Sequence, residues 1–358
     1  MRNPYVFLAS IGLGLTAILG AAGCTAPTAS PPATEQARVL RIATDDEPGR
    51  PAAAQIEEFA RQVAERSGGQ LVIEPVWKAV GEDKDDWDQA VARGVVAGDF
   101  DMALVPARAW DTEGVDSFAA LHAHFLVTSN TLLSKVAEPA IADEMLAGLD
   151  KVGVSGLALF PEGTRLLFSF GKPVLKPADL SGKTVRAPRS EATYALLQAL
   201  GATPDDLVGE RFPEGIAAGK VVAAESSFVG ARSLPAPTTA AANLVLFSKL
   251  NSLVANANVF QGLSQSQRQL LTEAAAATRT WASEAMTSTA DDAAAFCLNG
   301  GTVITAAAAD IAAFKAAGAA VYRKLEADPE TKARIAKIRE LAAADPPHKQ
   351  IPPCTPGG

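Results

Sequence analysis

Along most of the chain the apolar positions switch between the spacing of a strand and that of a helix. "VLRIAT" (39–44) is a β-rich run that ends in the acidic, turn-forming "DDEPGRP". Behind it Ile56, Phe59, Ala60 and Val63 fall at i, i+3, i+4 and i+7, which predicts an amphipathic helix, and Gly68-Gly69 stops it. "QLVIEPVW" (70–77) reads as a second strand. The loop "GEDKDDWD" then leads into a helix through Trp87, Ala90 and Val91 that ends at Gly98, and "FDMALVP" gives a third strand. Strand, helix, strand, helix, strand is the signature of a parallel sheet wrapped by helices.

The alternation continues. "VSGLALFPEGTRLLFSF" (154–170) predicts one long strand, with a break at Pro161-Glu162-Gly163 as the alternative. "KTVRAP" is a short strand, Ser190 can cap a helix through Tyr194, Leu197 and Leu200, and "VVAAESSF" is a further strand. Asn243 to Phe260 is long and mostly apolar, which suits a strand pair or a strand passing between lobes. From Ser264 the chain turns helical and alanine-rich, and no fixed-period repeat is visible. The expected architecture is α/β, two lobes with chain crossings between them.

Composition narrows the function. The chain of 358 residues carries 40 acidic against 32 basic side chains, net −8, with no long block of one sign. A nucleic-acid binder needs a basic face, so that class is set aside. Three histidines and three cysteines are too few for a convincing metal cluster. His122 and His124 would share a face on a strand, but they read as buried or rim histidines and no metal or cofactor is expected.

The N-terminus speaks to destination. Arg2 precedes the apolar run "YVFLASIGLGLTAIL", which is shorter than the ~20 residues a spanning helix needs, so it reads as a signal-peptide core (1–23) with a short membrane anchor as the alternative. "LGAAGC" resembles the bacterial lipoprotein processing box, in which Cys24 is lipidated, although Ala21 stands where a large aliphatic residue is usual. Residues 24–38, rich in Thr, Ala, Ser and Pro, then form a flexible tether to the membrane. Cys297 and Cys354 remain as an even pair, read as a disulfide in an oxidising compartment or else as two free thiols. The bridge would close a loop worth roughly 4 kcal/mol on the chain-entropy view.

Candidate chemistry is sparse. "GKT" (182–184) fails as a phosphate loop because Pro177 occupies the position that needs glycine and because the motif opens a strand. There is no G-x-S-x-G elbow and no H-E-x-x-H, and acidic pairs such as Asp45-Asp46 are common in solvated turns. Nothing points to catalysis. Arg186 is the informative cation: it lies at the carboxyl end of a short strand, where open α/β sheets bind ligands, and a guanidinium there can fork two bonds onto a carboxylate. A solvated or salt-bridged arginine is the alternative.

From about Val39 to the alanine-rich helix, several collinear blocks resemble the extracytoplasmic solute-binding subunits of tripartite ATP-independent periplasmic (TRAP) transporters. These are "VVAGDFDMALV", "FAALHAHFLVTSN" (with His124 where proline is usual), "EGTRLLFSFGKPVLKPADLSGKTVRAPRSEATYALLQALGATP" and "LVANANVFQGLSQSQRQLLTEAAAAT". The resemblance implies a type II periplasmic-binding-protein fold, two α/β lobes on a hinge that close on a small organic acid. By residue it implies that Arg186 grips the ligand carboxylate and that Arg165 assists. Ser226 falls where the family supplies an asparagine; being shorter, it leaves room for a larger ligand or a water. The usual helix before that strand is interrupted by Pro213 and Gly215. Asp46 in the first loop and Trp110 after the third strand are first-lobe contributors, with a core or rim aromatic as the alternative for Trp110.

Lobe I is expected over 39–160 and about 247–296, and lobe II over 161–246 and about 297–358. The expected protein is exported, lipid-anchored and catalytically inert, and it hands its ligand to TRAP-type permease subunits. Its rivals are a binding lipoprotein for sensing or scavenging, and an exported enzyme on a similar scaffold.

Overall fold

A computed structural model describes residues 37–81, 85–234, 237–345 and 350–356. The expected signal peptide, Cys24 and nearly all of the tether lie outside them, as does His348. The chain divides into Met1–Gln36 and Ala37–Gly358, and the described residues all belong to the second unit.

The strands are β1 (Arg38–Ala43), β2 (Leu71–Val76), β3 (Met102–Pro106), β4 (Val154–Phe170), β5 (Thr184–Arg186), β6 (Thr203–Asp205), β7 (Val221–Ser226), β8 (Thr238–Ala241), β9 (Phe247–Asn256) and β10 (Thr302–Ile304). The helices of the first part are α1 (Pro51–Ser67), α2 (Trp87–Ala97), α3 (Asn130–Val136), α4 (Pro139–Leu146), α5 (Glu191–Ala199) and α6 (Arg211–Ala217). Those that follow are α7 (Phe228–Ala231), α8 (Ala257–Gln261), α9 (Gln265–Ala285), α10 (Thr289–Leu298), α11 (Ala308–Leu325) and α12 (Pro329–Ala343).

The strand order is β2-β1-β3-β9-β4-β7-β5-β6, with β8 on β4 and β10 on β8. β1, β2 and β3 are parallel, as strand–helix alternation demands, whereas β9 runs antiparallel to both β3 and β4. β9 is a single strand followed directly by α8, not a strand pair. β4 joins the two halves of the sheet: residues 154–165 pair with β9, and residues 166–170 with β7 and β8. It is continuous through Pro161-Glu162-Gly163, but its register shifts there, and Gly163 takes φ 120°, a conformation that favours glycine. The bulge re-aims the Glu162 side chain toward β9.

Burial follows the period-2 rule. In β3, Met102 and Leu104 join the core beneath α1 and α9, while Ala103 and Val105 join the core on the α2 side. In the second half, Leu166 and Phe168 pack against α7 and α10, and Leu167 faces the layer containing Leu196, Leu197 and Phe314. These are two α/β lobes sharing crossing strands, the expected fold class.

The last helices divide between the two cores. Phe296 and Cys297 of α10 lie in the second half's core, and Ile335 and Ile338 of α12 lie in the first half's core. The chain therefore crosses back along α11, whose Phe314 lies in the second half's core and whose Tyr322 and Leu325 pack on the first half's, a crossing that alanine-rich helices with weak apolar faces do not announce. Cys297 and Cys354 form a disulfide with Cα atoms 6.1 Å apart. Backbone bonds between Val303 and Cys354, 2.8 and 3.0 Å, add the tail to the edge at β10.

Candidate functional site

The carboxyl ends of β1, β3, β5 and β7 converge on the cleft between the halves, together with the middle of β4 and the start of β9. Ionised side chains concentrate there. Arg165 on β4 pairs with Glu225 on β7 at 2.9 Å, and the two side chains are 13% and 3% exposed. Arg108, in a 3-10 turn after β3, pairs with Asp88 of α2 at 2.6 Å. Lys249 on β9 pairs with Glu162 at 2.7 Å, and Asn251 donates to the same carboxylate at 2.7 Å. Burial pushes the Glu162 carboxyl up, but Lys249, Arg165 and these hydrogen bonds outweigh it and hold it below the usual range. Buried pairs of this kind hold only while both members remain.

Arg186 is held in another way. Its guanidinium carbon lies 5.3 Å from the Trp87 ring centroid and 5.7 Å from that of Phe212. Its Nε donates to the Leu207 carbonyl at 3.3 Å. Among the described residues no carboxylate comes within ion-pairing distance of it. Burial depresses its basicity; Glu225 opposes that, and Arg108 and Arg165 add to it. Arginine remains charged under any such shift, so the cleft holds a cation steadied by two aromatic faces.

Phe212 comes from the segment that carries Pro213 and Gly215. α6 forms over it nonetheless, because Pro213 falls in the first turn, where backbone N–H groups have no partner within the helix. At Gly215 a side chain would come within 2.7 Å of Val221, so glycine lets the helix settle on β7.

The other expected residues separate. Asp46 lies after β1, partly buried; burial raises its pKa, Lys249 opposes this, and Glu162 and Asp88 reinforce it. Ser226 ends β7, 9% exposed, and a side chain at Gly230 would lie 2.7 Å from its hydroxyl, so α7 covers part of the room that the shorter side chain leaves. Trp110 is not a cleft residue. It is fully buried in the first half's core, and its Nε1 donates to Ser252 Oγ at 2.8 Å, because the 3-10 turn points the indole under β9 rather than into the cleft.

Two cavities flank the site. One, of about 450 Å³, is bounded by Arg50, Gln55, Glu162, Phe228, Arg232 and Trp281. The other, of about 30 Å³, lies among Arg108, His122, Arg165, Thr193, Glu225 and Lys249. Lys249 and Glu162, one from each lining, stand between them. Further contacts tie the halves together. Ser190 Oγ (2.7 Å) and Ala192 N (3.2 Å) donate to Asp111 Oδ2, Gln89 donates to the Arg189 carbonyl at 3.0 Å, and Arg211 pairs with Asp85. This is a closed cleft.

His122 and His124 do not share a face. His122 ends a 3-10 turn and borders the small cavity, whereas His124 packs edge-on to Tyr322, with its ring against Gly318 of α11. Burial lowers the pKa of both, that of His124 to about 4. Among the described residues no cluster of His, Cys, Asp and Glu suits a metal ion, and no helix is long and apolar enough to cross a membrane.

Arg108, Glu225, Trp87 and Phe212 are site residues that the sequence reading did not single out. The residue before Ser226 carried the only available signal, since an acid on a strand beside an arginine strand is a ready partner.

The profile of the bacterial extracellular solute-binding proteins, family 7 (DctP), matches residues 42–328. Over 160 residues the chain is 28% identical to the uncharacterized protein y4mM of Sinorhizobium fredii, covering 45% of this chain and 29% of that protein. Over 123 residues it is 28% identical to the 2,3-diketo-L-gulonate-binding periplasmic protein YiaO of Escherichia coli, covering 32% and 35%. The chain thus spans about a third of the length of the curated relatives it matches.

Solved structures agree on the fold. A TRAP periplasmic solute-binding protein from Bradyrhizobium sp., in complex with galacturonate, has TM-score 0.73 at 24% identity, covering 85% of this chain and 100% of that one. One from Ochrobactrum anthropi has TM-score 0.73 at 21% identity, covering 87% and 97%. The sugar-acid-binding protein DctPAm from Advenella mimigardefordensis, in complex with galactonate, has TM-score 0.72 at 16% identity, covering 86% and 99%. A family match over most of the chain, on the fold these structures share, places the protein among the extracytoplasmic solute-binding proteins of the DctP family.

Proposed function

We propose that the protein captures a small carboxylate-bearing organic solute between its two lobes and delivers it to a TRAP-type secondary transporter, without catalysing a reaction. The observation that carries this reading is Arg186: a cleft guanidinium flanked by two rings and lacking an acidic partner among the described residues, while Arg108 and Arg165 beside it have theirs. A carboxylate entering the cleft completes that guanidinium with two charge-assisted hydrogen bonds. Arg165, locked by Glu225, stands by as a second donor. The sugar acids bound by structural neighbours make hexuronates and aldonates the first ligands to try.

Closure is a hinge motion through β4 and β9, favoured because the ligand touches both lobes. Lobes drawn by packing join α10 to the second and α12 to the first. Acylation of Cys24 after removal of residues 1–23 tethers the body to the outer face of the cytoplasmic membrane, and the permease subunits are the partner. The test is a titration of purified protein with galacturonate, glucuronate, galactonate and simple dicarboxylates, followed by calorimetry and thermal shift. Saturable binding of at least one acid supports the reading, and no response to any of them contradicts it. Turnover of the bound acid would favour the enzyme instead.

A further inference from the structure

The small cavity contains chemistry that a carboxylate grip does not use. His122 is 8% exposed, and its Nε2 is buried without a hydrogen-bond partner; so is Nη1 of Arg108, whose other amino group, Nη2, binds Asp88. Both residues border the same cavity of about 30 Å³. A buried polar atom left unmet costs on the order of 1–3 kcal/mol, so two beside one cavity mark a place built for a polar guest. The volume exceeds the ~10–15 Å³ that one water-sized group requires and is far too small for a whole solute.

Arg165 and Glu225 border this cavity too, and the charges of Glu225, Arg108 and Arg165 all act on Arg186, so the cavity lies on the side of the cleft where a carboxylate would be held. Its lining comes from both lobes, with Arg108 and His122 from one and Thr193 and Glu225 from the other, so the cavity is complete only when the cleft is closed. The two unmet groups restrict the guest. Arg108 Nη1 can only donate, so the guest must accept. His122 is neutral at neutral pH because burial disfavours its charged form, so Nε2 either accepts or donates according to tautomer. A hydroxyl satisfies both partners in either tautomer, and a methylene satisfies neither.

We propose that His122 and Arg108 form a specificity subsite that receives the 2-hydroxyl of a 2-hydroxy acid whose carboxylate is held by Arg186. The inference rests on the proposed function and narrows its ligand class. Losing a partner for buried polar groups is the most discriminating loss a binding site can impose, whereas an apolar pocket separates such ligands weakly.

The test uses the matched probes galactonate and 2-deoxygalactonate in calorimetric titrations of the wild type, His122→Leu, His122→Asn and Arg186→Ala. Melting temperatures check that each variant folds. The wild type is expected to prefer galactonate at least tenfold. His122→Leu should lose about tenfold for galactonate and nothing for the deoxy acid, His122→Asn should recover part of the preference, and Arg186→Ala should lose both ligands alike. Equal wild-type affinity for the two probes, or an equal loss of both in His122→Leu, overturns the subsite and leaves the carboxylate reading standing. Undiminished binding in Arg186→Ala, or no binding of any acid to the wild type, removes the carboxylate reading and the subsite with it.

Discussion

Arg165 on β4 and Arg186 on β5 face one cleft from either side of β7, yet they are kept in opposite ways. Arg165 has an internal counter-charge in Glu225 at 2.9 Å. Arg186 has aromatic faces at 5.3 and 5.7 Å and, among the described residues, no acid. The first arrangement fixes a side chain and neutralises it; the second fixes a side chain and keeps its charge for something else. The difference separates a scaffold ion pair from a binding group, a distinction that the residue type alone does not make.

The largest effect should come from breaking the internal pair. Glu225→Ala leaves Arg165 buried without its partner and is expected to cost about 3–5 kcal/mol of stability, read from urea denaturation midpoints. An unchanged midpoint would mean that the pair is not structural and that the contrast fails from Arg165's side. A smaller effect probes the other member. Trp87→Ala removes one face from Arg186 and should weaken acid binding about fivefold, in line with the ~1 kcal/mol of a cation–π contact. Calorimetry showing no change would mean that the ring merely occupies the closed cleft.

The smallest effect comes from the buried histidines. Burial holds the His122 and His124 imidazoles below their ordinary value, that of His124 at about 4. A base depressed by folding contributes stability that is present above its unfolded pKa, about 6.5, and lost as pH falls toward its folded one. Melting temperature should therefore decline from pH 6.5 to about 4, and His124→Leu should flatten part of that decline. Identical slopes in the two proteins would remove His124 from the account.

The elements of the first half and the place of Arg186 were legible in the sequence. The period of apolar positions marked β1 to β3, α1 and α2, and the strand ending at Arg186 before Ala187-Pro188 marked the cation's place. What depends on long-range pairing was not visible. Arg108 and Asp88 are separated by an entire strand and helix end, and nothing local tells a paired arginine from an unpaired one. Trp110 was misplaced because a tryptophan following a strand reads the same whichever way a 3-10 turn points it. α6 was obscured because Pro213 and Gly215 count against a helix interior, yet they fall where a short helix tolerates proline and where glycine lets it approach β7. The return of α12 to the first half was hidden by alanine, whose small side chain gives little amphipathic signal.

The central claim is that Arg186 is the charge the ligand answers. It is tested most directly by calorimetric titration of wild type and Arg186→Ala with whichever acid the wild type binds, under identical salt and pH. The account predicts saturable binding in the wild type and a loss of about a hundredfold in the variant, within the 2–5 kcal/mol that losing a buried charge-assisted pair costs, with the melting temperature of the free protein little changed. Equal affinity in the two proteins would contradict it.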